Sequence, residues 1–111
     1  MLKLGIFELT KVVINLVQED VRGTGDKYFA IGIEVYDNRG RRSTQRRPGK
    51  MIASNPEGYI FRREVTVEKL LMPSASGEPL NLVCSTFNAG ENRAFSMRVY
   101  SDKVITLEKF E

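Results

Sequence analysis

Residues 79–103 read PLNLVCSTFNAGENRAFSMRVYSDK, and their spacing decides the fold. Leu80, Leu82 and Cys84 alternate with Asn81 and Val83; Phe95, Met97 and Val99 alternate with Ser96 and Arg98. Side chains that recur at every second residue share one face of an extended chain, so each run predicts a half-buried strand. Between them, Asn88-Ala89-Gly90-Glu91-Asn92 supplies turn-forming residues and predicts a hairpin.

The same period extends upstream and downstream. Val12, Ile14 and Leu16 share a face, as do Phe29, Ile31, Ile33 and Val35, with Glu34 and Tyr36 opposite. Tyr59 and Phe61 repeat the pattern over a shorter span, with Phe29 and Phe61 read as core packing, and residues 104–107 add a last strand. Residues 65–72 read two ways, because Glu68-Lys69-Leu70-Leu71 suits one helical turn and the segment also suits a strand. Gly23-Thr24-Gly25-Asp26, Asp37-Asn38-Arg39-Gly40, Ser54-Asn55-Pro56-Glu57-Gly58 and Pro73-Ser74-Ala75-Ser76-Gly77 interrupt the runs as turns and loops. The reading is all-β: an antiparallel β-sandwich of about six to eight short strands, one domain over residues 1–111.

Composition removes several chemistries. The chain holds no histidine and one cysteine, Cys84. A cysteine nucleophile needs a base beside it, and zinc draws on several Cys or His ligands, so the chain alone is read as no enzyme. Cys84 closes an alternating strand and is read as a core-facing, inert thiol. No cofactor is expected. The candidate calcium ligands are Glu19, Asp20, Asp26 and Asp37, with no Asp-x-Asp pair to gather the six to eight oxygens calcium takes. A lone cysteine fits a reducing compartment, and no apolar run approaches the ~20 residues that span a bilayer. The expected location is cytoplasmic, peripheral at membranes.

Charge is concentrated rather than large. The net charge is +3, yet residues 39–50 hold Arg39, Arg41, Arg42, Arg46, Arg47 and Lys50, with no acid between Asp37 and Glu57. Such a cluster attracts anionic lipid, an acidic protein surface or phosphate backbones. Nucleic acid is the weakest of these, because the chain carries no RNA-binding signature and no tryptophan. Ser43 and Thr44 lie among the arginines, where phosphorylation would weaken the patch.

Residues 79–103 also resemble the closing strands of the calpain β-sandwich, the C2-like domain III of the calpain large subunit. That family ends one strand in a Pro-Ser-Thr-Phe-like stretch and the next in Leu-Arg-Val-Phe-Ser-acid-Lys. Here Cys84-Ser85-Thr86-Phe87 and Phe95-Ser96-Met97-Arg98-Val99-Tyr100-Ser101-Asp102-Lys103 stand in those places. Leu16-Val17-Gln18, Ile31-Gly32-Ile33-Glu34-Val35-Tyr36 and Arg63-Glu64-Val65 are similar to further family segments in the same order. The chain departs from the pattern where Cys84 replaces a proline, in having only Glu8 where the family carries a long acidic loop, and in lacking the family's early Trp and Gly-Gly-Cys segment.

The resemblance implies a non-catalytic regulatory or scaffolding module of a calpain-like cysteine protease. Its partners would be the protease core or another calpain-like chain, and an anionic membrane surface. Arg39, Arg41, Arg42, Arg46, Arg47 and Lys50 are the expected contact residues for anionic lipid or an acidic partner. The alternative is a structural protein–protein interaction module, a homodimer that pairs through the sheet edge left open by a missing early strand.

Overall fold

The computed structural model describes residues 1–21, 23–25, 27–44, 46–86 and 95–109, and among them are nine strands and no helix. The strands are β1 (Leu2–Ile6), β2 (Thr10–Gln18), β3 (Ala30–Asp37), β4 (Lys50–Ser54), β5 (Ile60–Phe61), β6 (Glu64–Leu71), β7 (Leu80–Thr86), β8 (Phe95–Ser101) and β9 (Ile105–Lys109). One sheet has the order β4-β3-β7-β1-β9, with β5 also pairing on β3; the other has the order β6-β2-β8. Every pairing is antiparallel. The architecture is the antiparallel β-sandwich that the alternation predicts.

The faces follow the period-two pattern. From the larger sheet, Leu4, Ile31, Ile33, Val35, Leu80 and Leu82 point inward; from the smaller, Val12, Ile14, Leu16, Val65, Val67 and Leu71 meet them in one core. Residues 65–72 are extended. Their eight register pairs with β2, from Thr10↔Leu71 to Val17↔Glu64, turn Val65, Val67 and Leu71 into that core. A single helical turn would bury fewer of these side chains and leave the backbone groups of β2 unpaired.

Four expectations need correction. β7 and β8 do not form a hairpin: β7 lies between β3 and β1, whereas β8 pairs with β2 in the other sheet. The turn residues 88–92 lie outside the described residues. Phe61 is 72% exposed rather than packed in the core. The phase of that short run is shifted by one: Ile60 packs against the core, while Tyr59 lies over Gly32 on the outer face. A Cβ on Gly32 would stand 3.1 Å from the Tyr59 ring, so the glycine makes room for it. Strand β4 (Lys50–Ser54), fourth, stands where the alternation assigns no strand, and it takes in Lys50, the last residue of the charge cluster.

β1 is the other strand unread in the sequence. Leu2, Leu4 and Ile6 do alternate, and β1 pairs with β7 on one side and β9 on the other. It therefore lies inside the larger sheet. Among the described residues, the sheet edges are β4 and β9 in one layer and β6 and β8 in the other.

Local connections cannot hold this topology together, since most consecutive strands lie in opposite sheets. Buried polar side chains fasten the crossings. At the end of β2, the Gln18 amide donates to the carbonyls of Phe29 (2.9 Å) and Arg62 (2.7 Å), and its oxygen accepts from the Phe29 N–H (3.1 Å). Within the larger sheet, Asn55 between β4 and β5 accepts from the Ile33 N–H of β3 at 2.8 Å and donates to the Gly58 carbonyl. Because Gln18 is fully buried, replacing it by a shape-similar apolar residue strands three backbone groups. Gln18→Leu is expected to lower unfolding stability by about 2–4 kcal/mol in urea denaturation with an unchanged m-value.

Candidate functional site

The arginine segment is a built loop between β3 and β4. Arg39 (φ 55°) and Gly40 (φ 77°) reverse the chain as it leaves β3. Gly40 has no alternative there, because a Cβ would press on the Glu78 side chain at 2.8 Å. The Asn38 side-chain amide then donates to the carbonyls of Arg42 (3.3 Å) and Arg47 (3.1 Å), and the Asn38 carbonyl accepts from the Arg41 N–H (3.0 Å). Thr44 and Arg47 close a smaller ring: Thr44 N–H donates to the Arg47 carbonyl, and Arg47 N–H to the Thr44 hydroxyl.

A second asparagine ties the loop to the sheet. Asn81 on β7 is fully buried, and its amide nitrogen donates to the Arg41 carbonyl (2.7 Å) and the Ser43 hydroxyl (2.6 Å). Ser43 in turn donates to the Pro48 carbonyl at 2.6 Å. The backbone of the loop is therefore held, while its cations are free to face outward.

All of Arg39, Arg41, Arg42, Arg46, Arg47 and Lys50 are exposed. Among the described residues, ion pairs join Lys11 to Glu68 and Arg62 to Glu57, and none joins a carboxylate to these six. Five of the six stand on the loop itself. Lys50 opens β4, where it sits in register opposite Asp37. Ser43 is buried with its hydroxyl fully engaged, so it is no open phosphorylation position; Thr44 is exposed. The buried Ser43 was illegible in the sequence because its partner, Asn81, lies 38 residues away.

The described calcium candidates, Glu19, Asp20 and Asp37, belong to no metal-holding cluster of described side chains. Asp20 accepts from the Tyr28 hydroxyl (3.1 Å), and Asp37 accepts from the Ser74 hydroxyl (2.9 Å) and the Arg39 N–H (3.3 Å). Asp26 lies outside the described residues. Among the described residues no group of three Asp, Glu, His or Cys side chains is placed to hold a metal ion.

A polar cluster that the sequence reading did not assign lies on the outer face of the larger sheet. Glu34 accepts hydrogen bonds from Tyr36 (2.6 Å) and Tyr59 (3.1 Å), and Tyr59 also meets the Ser85 hydroxyl at 2.7 Å. Desolvation first, and then the Glu34 carboxylate, pushes the Tyr36 phenol up to about 12. Its only sequence signal is the placement of Glu34 and Tyr36 opposite a buried face; Tyr59 and Ser85 reach them through the fold. The cluster borders a shallow cleft of about 430 Å³ whose far wall is Ser43, Thr44 and Pro48 of the arginine loop.

Cys84 packs partly buried between the sheets, 3.4 Å from the Met97 sulfur. Burial raises its thiol from 9.0 to about 11. This is the inert, core-facing thiol that the alternation implies.

The described residues thus build a two-layer antiparallel β-sandwich with an exposed arginine loop between β3 and β4. The family model described as calpain large subunit, domain III, matches residues 7–100, and the chain belongs to that family. It is a calpain-associated domain of the type that is non-catalytic within calpains. Strands β1 and β9 flank the matched segment, yet they pair with each other and complete the larger sheet. No curated protein and no solved structure matches the chain.

Two measurements probe this description. Asn38→Ala removes the two side-chain hydrogen bonds that join the limbs of the loop; the amides of Arg41, Thr44 and Arg47 are expected to exchange about tenfold faster or more, with core amides unchanged. For Cys84, a folded-state value above the unfolded one means that the native state holds the proton more tightly. Its contribution is complete below about pH 9 and is lost as pH rises toward about 11. Native protein at pH 8 is expected to react with iodoacetamide roughly a hundredfold more slowly than unfolded protein, and Cys84→Ala to flatten the alkaline loss of stability.

Proposed function

We propose that this calpain-family domain is a regulatory docking module that brings its parent or partner protease to an anionic phospholipid surface through Arg39, Arg41, Arg42, Arg46, Arg47 and Lys50. The observation that carries the reading is the pinned loop with five exposed arginines, followed by exposed Lys50, and no carboxylate partner for any of the six among the described residues. Guanidinium groups offer paired N–H donors that match phosphate oxygens, and arginine sheds water more readily than lysine. A fixed backbone reduces the ordering cost of bringing five of them to one surface. The mechanism is attraction and docking, with no bond made or broken, at the cytoplasmic face of a membrane.

A second reading is self-association through a sheet edge. The observation in its favour is the eight-residue edge strand β6, which flanks a cleft of about 550 Å³ beside β4. Lys69 weighs against it: by alternation it belongs to the inward set, yet it is exposed at the mouth of that cleft, and inward-pointing lysine on an edge strand discourages pairing.

Co-sedimentation with phosphatidylserine vesicles separates the two. Each basic residue near such a surface contributes about 1 kcal/mol, so changing Arg41, Arg42, Arg46 and Arg47 to Ala is expected to weaken binding by up to roughly a thousandfold. Wild-type binding is expected to fall steeply with salt and to persist without calcium. Wild type that stays in the supernatant at low salt would sink the membrane reading. A dimer whose stability ignores salt would favour the edge.

A further inference from the structure

We propose that the turns at one end of the sandwich carry an apolar anchor, Phe7, Leu9, Met72 and Val104, that enters the interfacial layer of an anionic bilayer beside the arginine loop; this rests on the phospholipid reading above. The four side chains are 63%, 53%, 68% and 80% exposed. Single exposed apolar residues are ordinary on a monomer, but a contiguous group is a contact surface.

The strand register makes them contiguous. Ile6 pairs with Ile105, so one step along that ladder brings Phe7 beside Val104. Thr10 pairs with Leu71, so one step along the other brings Leu9 beside Met72. Phe7 and Leu9 flank Glu8 in the short crossing from β1 to β2, which joins the two pairs into a row across both sheets. The turn is held in shape from within: Thr10 donates its hydroxyl to the Glu8 carbonyl at 2.7 Å. On the adjacent turn, Asp102 accepts the Lys11 N–H at 3.0 Å.

The arginine loop leaves from the same end. β3 is antiparallel to β7, and β7 to β1, so the loop begins where β1 finishes. In the sheet, β3 stands two strands from β1, about 10 Å at ordinary strand spacing. The occupant follows from charge and shape. The loop arginines and exposed Lys103 call for an anionic surface. The apolar row lies on exposed residues of the strand connections, with the Phe7 ring beside Gly5, and a broad exposed row suits a soft acyl boundary. Exposed Glu8, between Phe7 and Leu9, holds the row at headgroup depth. Apolar burial added to attraction by anionic headgroups is the energetic design of an interfacial anchor.

The absence of tryptophan makes the test direct. Phe7→Trp and, separately, Leu9→Trp each give a single fluorophore in the row. Phe61→Trp is the control: β5 pairs with Ala30 and Ile31 at the opposite end of β3. With phosphatidylserine–phosphatidylcholine vesicles carrying brominated acyl chains, the Phe7→Trp and Leu9→Trp emissions are expected to shift to the blue and be quenched, and that of Phe61→Trp to stay unchanged. The double variant Phe7→Ser, Leu9→Ser is expected to bind about tenfold more weakly with the same salt dependence, its fold checked by far-UV circular dichroism. Vesicle binding without blue shift or quenching would overturn the anchor and leave the arginine-loop reading standing. Wild type that binds no vesicles removes both. A blue shift that grows with protein concentration in the absence of vesicles would assign the row to a second copy of the chain and overturn the proposal.

Discussion

Val12, Ile14 and Leu16 of β2 and Ile31, Ile33 and Val35 of β3 belong to one buried core, and neither sheet could keep its apolar face in water without the other. Face-to-face burial is the constraint on which the rest depends, because the chain crosses between layers at almost every connection. A local hairpin joins β3 to β4, but the other neighbours are distant in sequence. Stability must therefore come from side chains that meet only after the layers close. Gln18 serves the same closure from the polar side, by giving partners to backbone groups that the crossings would otherwise leave dry.

The arginine loop is an extension of that scaffold. Asn81 lies on the outer face of β7, opposite the core-facing Leu80 and Leu82, and it reaches the loop backbone at Arg41 and Ser43. Asn38 gathers the two limbs of the loop. Two neutral amides thus set where positive charge is displayed, without themselves carrying any. Among the described residues the loop cations make no internal ion pair, so the loop is shaped by neutral hydrogen bonds and not by its own charge.

The strongly periodic strands and the family were legible early. β2, β3 and β7 showed their buried faces, and β8 the partly buried Met97 and Val99, because their alternation runs over at least five residues and matches the pleat, although Phe95 at the start of β8 is exposed. Shorter segments were not. Tyr59-Ile60-Phe61 fits either phase, and pairing with the start of β3 chose the one that leaves Phe61 outside. β1 looked ordinary in isolation because its central position depends on partners 76 and more residues away in sequence, near Leu80 and Thr106. Of the candidate site, the six basic residues and their exposure followed from the charge run, whereas the burial of Ser43 and the Glu34–Tyr36–Tyr59–Ser85 cluster did not.

The sequence by itself determined the class of structure, the absence of a histidine-based reaction centre, the location of the charge cluster and the membership in the calpain domain III family. These are properties of composition and of spacing along one strand, and they survive without knowing what lies opposite. Only the tertiary structure decided which strands share a sheet, which serine lies under the loop, and which turns meet at one end. Strand pairing is a relation between distant segments, and a local period of two is compatible with many partners until side-chain volume and backbone hydrogen bonds on both sides select one.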